Sequence, residues 1–253
     1  MALQTLVRRT LLRLTAGTPV AGPASPTSPP QRVAVLRPDH LGDLLLTTPA
    51  LAHLRAAWPQ AHIALLVGPW NAEVAAHLPM IDEVLTLNFP FFDRGPKGSL
   101  LHPYAQLPEL ARPVAAAGFE AALVMRHDFW WGAALTAKAG VPRRVGMAEP
   151  LVADWLTDAL PQALPVHEAA RCLALAELAT GVTATQAPPM HFHLTDEERG
   201  WADRWLAERA IVGRVLVVHP GAGAAVKLWP VAAWVSAARP SSPARTKASD
   251  RFA

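Results

Sequence analysis

The chain has 253 residues, 51% hydrophobic and 17% charged, with a formal net charge of +3. That apolar fraction suffices for a packed core, the length allows one large domain or two small ones, and no apolar run reaches the roughly 18 residues of a spanning helix. The single cysteine, Cys172, excludes an intramolecular disulfide and makes a reducing, cytoplasmic setting the expectation. Basic residues cluster only near the two ends, without interleaved aromatics, so no nucleic-acid partner is expected.

Residues 1–31 form a basic, Pro-rich leader. Leu3, Leu6, Val7, Leu11 and Leu14 recur at helical spacing among Arg8, Arg9 and Arg13, and a Pro/Ala/Ser/Thr/Gly run follows from Gly17 to Pro30. Three readings stay open: a disordered leader, an amphipathic helix contacting a membrane peripherally through residues 1–16, and a targeting peptide. Arg13 interrupts any apolar stretch of the third kind.

From Arg32 the pattern alternates. Val33–Leu36, His62–Val67, Val84–Leu87 and Ala121–Met125 read as short buried strands, with helices over Leu44–Ala57, Asn71–Ala76 and Tyr104–Ala117. This alternation predicts βαβ units and a parallel sheet. His167–Thr180 reads as a helix closed by Gly181, and Thr195 with Glu198 forms a capping box that opens another, to about Arg209. Val215–Val218 reads as a buried strand, followed by the turn His219–Pro230 and a helix over Val231–Ala238. Residues 240–253 lack a periodic apolar face and read as a disordered tail.

Two strand–turn–helix units carry the candidate chemistry. In the first, Arg37-Pro-Asp-His-Leu-Gly-Asp43, the carboxylate of Asp43 stands where the chain enters a helix, at the carboxyl end of a strand. Ligands of open α/β sheets bind at such ends. Asp43 is either a general base for a hydroxyl or a cap of its own helix. Gly42 permits a tight turn and close ligand approach, and Asp39 reads as a turn former. In the second, Gly221, Gly223 and Lys227 suit a phosphate through backbone N–H groups and one positive charge, although Val226 and Leu228 break the P-loop pattern. Arg126 and Trp130 follow a strand and, with Asp39 and Gly42, are candidates for holding a sugar on the acceptor side, with packing the alternative for the tryptophan. The ten histidines form no metal-ligand spacing, and neither a Gly-x-Ser-x-Gly nucleophile nor a dinucleotide fingerprint occurs, so no metal and no cofactor are expected.

Arg37–Pro49 resembles the opening signature of the glycosyltransferase family 9 enzymes, the bacterial lipopolysaccharide heptosyltransferases. His219–Pro230 resembles the signature at the start of that family's C-terminal domain, and His167-Glu168 ahead of a Leu-rich helix fits between them. The resemblance spans about Arg32 to Arg239. It implies a GT-B fold, with a Rossmann-like acceptor-side domain over 32–190, and a linker helix and the first β-α unit of a nucleotide-sugar domain over 191–239. It implies inverting, metal-independent transfer of a sugar, heptose being the best-known case, from a nucleotide diphosphate sugar to a glycolipid acceptor of the lipopolysaccharide core. Asp43 would be the general base and Lys227, with Gly221 and Gly223, the donor-phosphate site. A cytoplasmic enzyme, peripheral on the inner membrane, is the corresponding expectation.

The family's second domain runs on well beyond Arg239. The expectation is therefore a C-terminally truncated member with impaired donor binding. A non-catalytic remnant that binds acceptor or partner, and a GT-B nucleotide-sugar epimerase, are the alternatives.

Overall fold

The computed structural model describes residues 2–17, 28–92, 99–161, 167–221 and 225–238. The chain divides into two compact units, Met1–Leu194 and Thr195–Ala253.

The first unit is built on a six-stranded, all-parallel sheet. Its strands are β1 (Arg32–Arg37), β2 (His62–Val67), β3 (Glu83–Thr86), β4 (Ala121–Val124), β5 (Arg143–Met147) and β6 (Asp158–Leu160), in the order β3-β2-β1-β4-β5-β6. This is the doubly wound Rossmann order. β1 pairs with β2 from Arg32 opposite His62, and with β4 from Val33 opposite Ala121. The chain reverses direction across the sheet between β1 and β4, so the loops after these two strands flank the crevice where ligands of such folds bind.

Alternation along β1 explains why both sheet faces are covered. Val33 and Val35 point into a core shared with α2 (Leu41–Ala57) and α6 (Glu168–Thr180). Ala34 and Leu36 point into the opposite core, closed by α4 (His102–Ala116) and α5 (Trp130–Lys138). Short helix α3 (Ala72–Ala75) connects β2 to β3. Pro49 sits inside α2 and has no N–H to donate to the Leu45 carbonyl. The Thr48 hydroxyl donates to that carbonyl instead, at 2.7 Å.

The leader is ordered where it is described. Helix α1 (Ala2–Ala16) packs against α4 and α5 with Leu12 fully buried and Leu11 partly so. Arg9 pairs with Asp154 at 2.8 Å and donates to the Pro150 carbonyl. Disorder does not hold for this segment, because an apolar stripe that the body can bury is worth more than its chain entropy. Leu6, Val7 and Leu14 stay on the exposed face. Residues 18–27 and the tail from 239 onward lie outside the described residues.

The second unit contains α7 (Asp196–Glu208) and α8 (Val231–Ala238). The capping box forms as expected: the Glu198 N–H donates to the Thr195 hydroxyl at 3.2 Å, and the Thr195 N–H donates to the Glu198 carboxylate at 2.8 Å. Val215–Val218 is the correction here. It is not a strand, and Leu216 and Val217 are 74% and 83% exposed. A strand needs ladder partners, and among the described residues none is present for this segment.

No described helix is long and apolar enough to cross a membrane.

Candidate functional site

The site begins with an arginine that sequence reading passed over. Arg37 ends β1 and is 1% exposed, although it carries a full charge. A buried guanidinium persists only where carboxylates and carbonyls surround it. Here Nη1 donates to the Glu168 carboxylate at 2.9 Å and to the Met125 carbonyl at 2.8 Å. Nε lies 3.1 Å from Asp39, and Nη2 lies 3.5 Å from Asp43. Burial opposes the Arg37 charge, and Cys172, Asp39 and Glu168 beside it outweigh that, so its pKa is raised. Burial pushes the neighbouring Cys172 thiol up to about 11, so at neutral pH it is an uncharged group packed against the guanidinium.

Asp39, read from the sequence as a turn former and acceptor-side candidate, is the second hub. It is 3% exposed and bridges the switch point, meeting Arg37 from its own strand end and Arg126 from the loop after β4. Its carbonyl accepts from Trp70 Nε1 at 2.7 Å and Asn71 Nδ2 at 2.9 Å. Arg126 is also held by Asp128 and lies 5.1 Å from the Phe92 ring centre. Burial would raise the Asp128 carboxyl, but Arg126 dominates and holds it below its ordinary value.

Asp43 is the third residue of α2, and the cap position belongs to His40, whose side chain makes no capping bond. Its side chain is 48% exposed. Across this cluster three guanidinium groups (Arg37, Arg126, Arg171) face four carboxylates (Asp39, Asp43, Asp128, Glu168). Asp43 is held by the longest contact of the set. The arrangement therefore leaves one carboxylate oriented by a buried cation and open to solvent.

Gly42 corrects another expectation. It lies within α2 rather than in a tight turn, and a Cβ there would meet only open space. The surface beside Asp43 is thus unobstructed.

Two cavities open along this sheet edge. One, of about 370 Å³, is lined by His40, Leu41, Trp70, Asn71 and Phe92. The other, of about 220 Å³, is lined by Arg8, Phe91, Phe92, Arg126, Asp128 and Trp130, among others. Trp130 stacks on Tyr104, with ring centres 5.7 Å apart, while Trp131 is buried and donates to the Pro103 carbonyl. Of the sequence candidates, Asp39, Gly42, Asp43, Arg126 and Trp130 thus share one edge of the first unit. Gly221 and Lys227 lie in the second unit, both exposed, and Lys227 has no carboxylate partner among the described residues. Gly223 lies outside the described residues. No cluster able to hold a metal ion occurs among them.

No family model and no curated protein sequence matches the chain. Solved structures do. The crystal structure of the glycosyl transferase family 9 from Veillonella parvula DSM 2008 matches with TM-score 0.64 and 24% identity, over 83% of this chain and 58% of that one. The E. coli ADP-heptose lps heptosyltransferase II matches with TM-score 0.55 and 16% identity, over 70% and 50%. E. coli heptosyltransferase WaaC with ADP-2-deoxy-2-fluoro heptose matches with TM-score 0.51 and 20% identity, over 62% and 51%. The likeness is one of fold, over about half of each of these structures. It agrees with the resemblance carried by Arg37–Pro49, and the chain spans about half to three fifths of the length of these structures.

The signals that sequence reading missed are now visible. Arg37 is a charge closing an apolar strand, and Glu168 was noted only as part of a resemblance. Their pairing spans 131 positions and only the fold reveals it.

Proposed function

We propose that the chain is the acceptor-side part of an inverting glycosyltransferase, with Asp43 as its general base. The acceptor hydroxyl loses its proton to the Asp43 carboxylate, and its oxygen forms a bond to the anomeric carbon of a nucleotide diphosphate sugar. The bond from that carbon to the diphosphate breaks, and its electron pair leaves with the diphosphate. By the sequence resemblance alone, Lys227, Gly221 and Gly223 are proposed for the donor phosphates, where such groups contribute a few kcal/mol when preorganised. Two of the structural neighbours are heptosyltransferases, which supports a nucleotide diphosphate heptose as the first donor to test and a glycolipid as acceptor.

The observation that carries this reading is the half-exposed Asp43 carboxylate, oriented by buried Arg37 beside the switch point of the sheet. A positioned base of this kind contributes about 10²–10⁴ in rate. Asp43→Asn keeps size and polarity and removes the base. The rate of sugar transfer by the full chain should fall by that factor. Transfer that survives Asp43→Asn unchanged sinks the assignment.

A further inference from the structure

We propose that Glu168, at the start of α6, is a positioning residue for Asp43: acting through Arg37, it aims the Asp43 carboxylate and sets how readily it takes a proton. This deepens the transferase reading, and rests on it, in taking Asp43 as the base.

A guanidinium is a flat, rigid fork, so fixing two of its nitrogens fixes where the third points. Arg37 is held in this way. Nε lies 3.1 Å from Asp39, and Nη1 donates to the Glu168 carboxylate at 2.9 Å. Nη2 is left to Asp43, 3.5 Å away. Asp39 stands in the loop that Arg37 opens, so the two move together. Glu168 belongs to a different element, and its bond ties the direction of Nη2 to the packed body of the unit. α6 also packs on α2, the helix that carries Asp43. One turn after Glu168, Cys172 Sγ lies 3.9 Å from the Thr47 hydroxyl, which donates to the Asp43 carbonyl at 2.9 Å. α6 thus reaches Asp43 twice, through Arg37 to its side chain and through Thr47 to its backbone.

The same contacts set the charge around the base. An undivided cation would hold a carboxylate deprotonated, and a second carboxylate nearby makes it a better proton acceptor. Glu168 acts in both ways: it takes part of Arg37 away from Asp43 and adds a negative charge of its own. Arg171 donates to the other Glu168 oxygen at 3.0 Å and works against it. The other charged or titratable groups at this end of the sheet are Asp39 and His40 before α2, and Arg126 and Asp128 after β4. Arg126 is divided between Asp39 and Asp128, and the Cys172 thiol is uncharged at neutral pH. Glu168 and Arg171 are each about one fifth exposed, so their charges can be removed one at a time without opening the core.

The test is carbon-13 NMR titration of the full chain labelled at its aspartate carboxyl carbons, with the Asp43 signal assigned by Asp43→Asn. Glu168→Gln removes the charge and keeps an oxygen that accepts from Arg37. It should lower the Asp43 titration midpoint by roughly 0.5–1 pH unit. Arg171→Gln leaves the Arg37 contacts in place and should raise the midpoint, by less. Glu168→Asp retains the charge and should restore most of the original value. A purely structural role would give no such opposed shifts, and thermal melts of each variant check that it is folded. In sugar transfer, Glu168→Gln should lower kcat about three- to tenfold and leave KM unchanged. A midpoint that Glu168→Gln leaves in place, or that both glutamine variants move in the same direction, overturns the proposal. Opposed shifts in a chain that transfers no sugar keep the coupling of Glu168 to Asp43 and lose the transferase reading. Transfer that needs Asp43 and is indifferent to Glu168→Gln does the reverse.

Discussion

The chain contains the same pattern twice, an apolar run, a glycine-containing turn and a helix, and the two copies have different fates. Val33–Leu36 is fully buried between β2 and β4, and the turn after it becomes a charged cluster held by an arginine inside the core. Val215–Val218 has much the same composition, has no ladder partner among the described residues, and lies 41% to 83% exposed. An apolar run becomes a strand through its neighbours, not through its own propensity.

Removing the buried cation should break this comparison most severely. Arg37→Met leaves Asp39, Asp43 and Glu168 without their common partner. Loss of one partner from a buried ion cluster costs about 3–5 kcal/mol. Lys227→Met, on the exposed turn, should change stability by no more than about 0.5 kcal/mol. Urea unfolding of both variants measures the difference. Equal midpoints would mean that the Arg37 cluster is not closed as described.

Leu12→Ala and Leu216→Ala form a second matched pair. Leu12 is fully buried under α4 and α5, and its truncation should cost about 2–5 kcal/mol. Leu216 is 74% exposed, and its truncation should be nearly neutral. Paired thermal melts decide this. A small effect at Leu12 would detach α1 from the first unit.

Gly42→Ala sharpens the contrast between folding and function. An alanine at this second position of α2 should stabilise the helix by no more than about 0.5 kcal/mol, since its methyl meets open space. The same methyl narrows the approach to Asp43. The variant should melt higher and transfer sugar more slowly. A parallel gain in both would show that nothing approaches over Gly42.

Much of the fold was legible because its signals are local. His62–Val67, the capping box at Thr195 and the helix over Val231–Ala238 were read at or close to their observed bounds from periodicity and cap chemistry. β5 was missed because Arg143 and Arg144 open it, their charges answered by the Ala179 and Trp155 carbonyls at 2.7 and 2.6 Å. β6 shows only three residues of weak alternation. The site was legible in part. Asp43 and Arg126 have polar signatures, whereas Arg37 reads as a break in a strand until Glu168, from a distant helix, is set against it. Asp39 and Gly42 were assigned turn roles by their residue types, but the fold buries one in a charge network and winds the other into α2.

The smallest expected effect is the pH dependence that these ion pairs give the first unit. Asp82 and Asp128 both have carboxyl groups held below the ordinary 3.8. At Asp82, burial pulls upward and is outweighed by the Ile63 N–H, which donates at 2.8 Å, and by Arg55. At Asp128, burial again pulls upward and Arg126 outweighs it. A carboxyl whose pKa is lower in the folded state binds its proton more readily when unfolded. The stability it contributes is therefore present above pH 3.8 and is lost as the pH falls through that value to the lower folded one. Both side chains are substantially exposed, so each contribution is small and weakened by salt. Urea midpoints of the full chain should fall between pH 5 and pH 3, and Asp82→Asn should flatten that fall. An unaltered slope in Asp82→Asn would mean that the Ile63 and Arg55 contacts do not persist in solution. The acid sensitivity of the first unit would then rest on Asp128 and its pairing with Arg126 at the switch point.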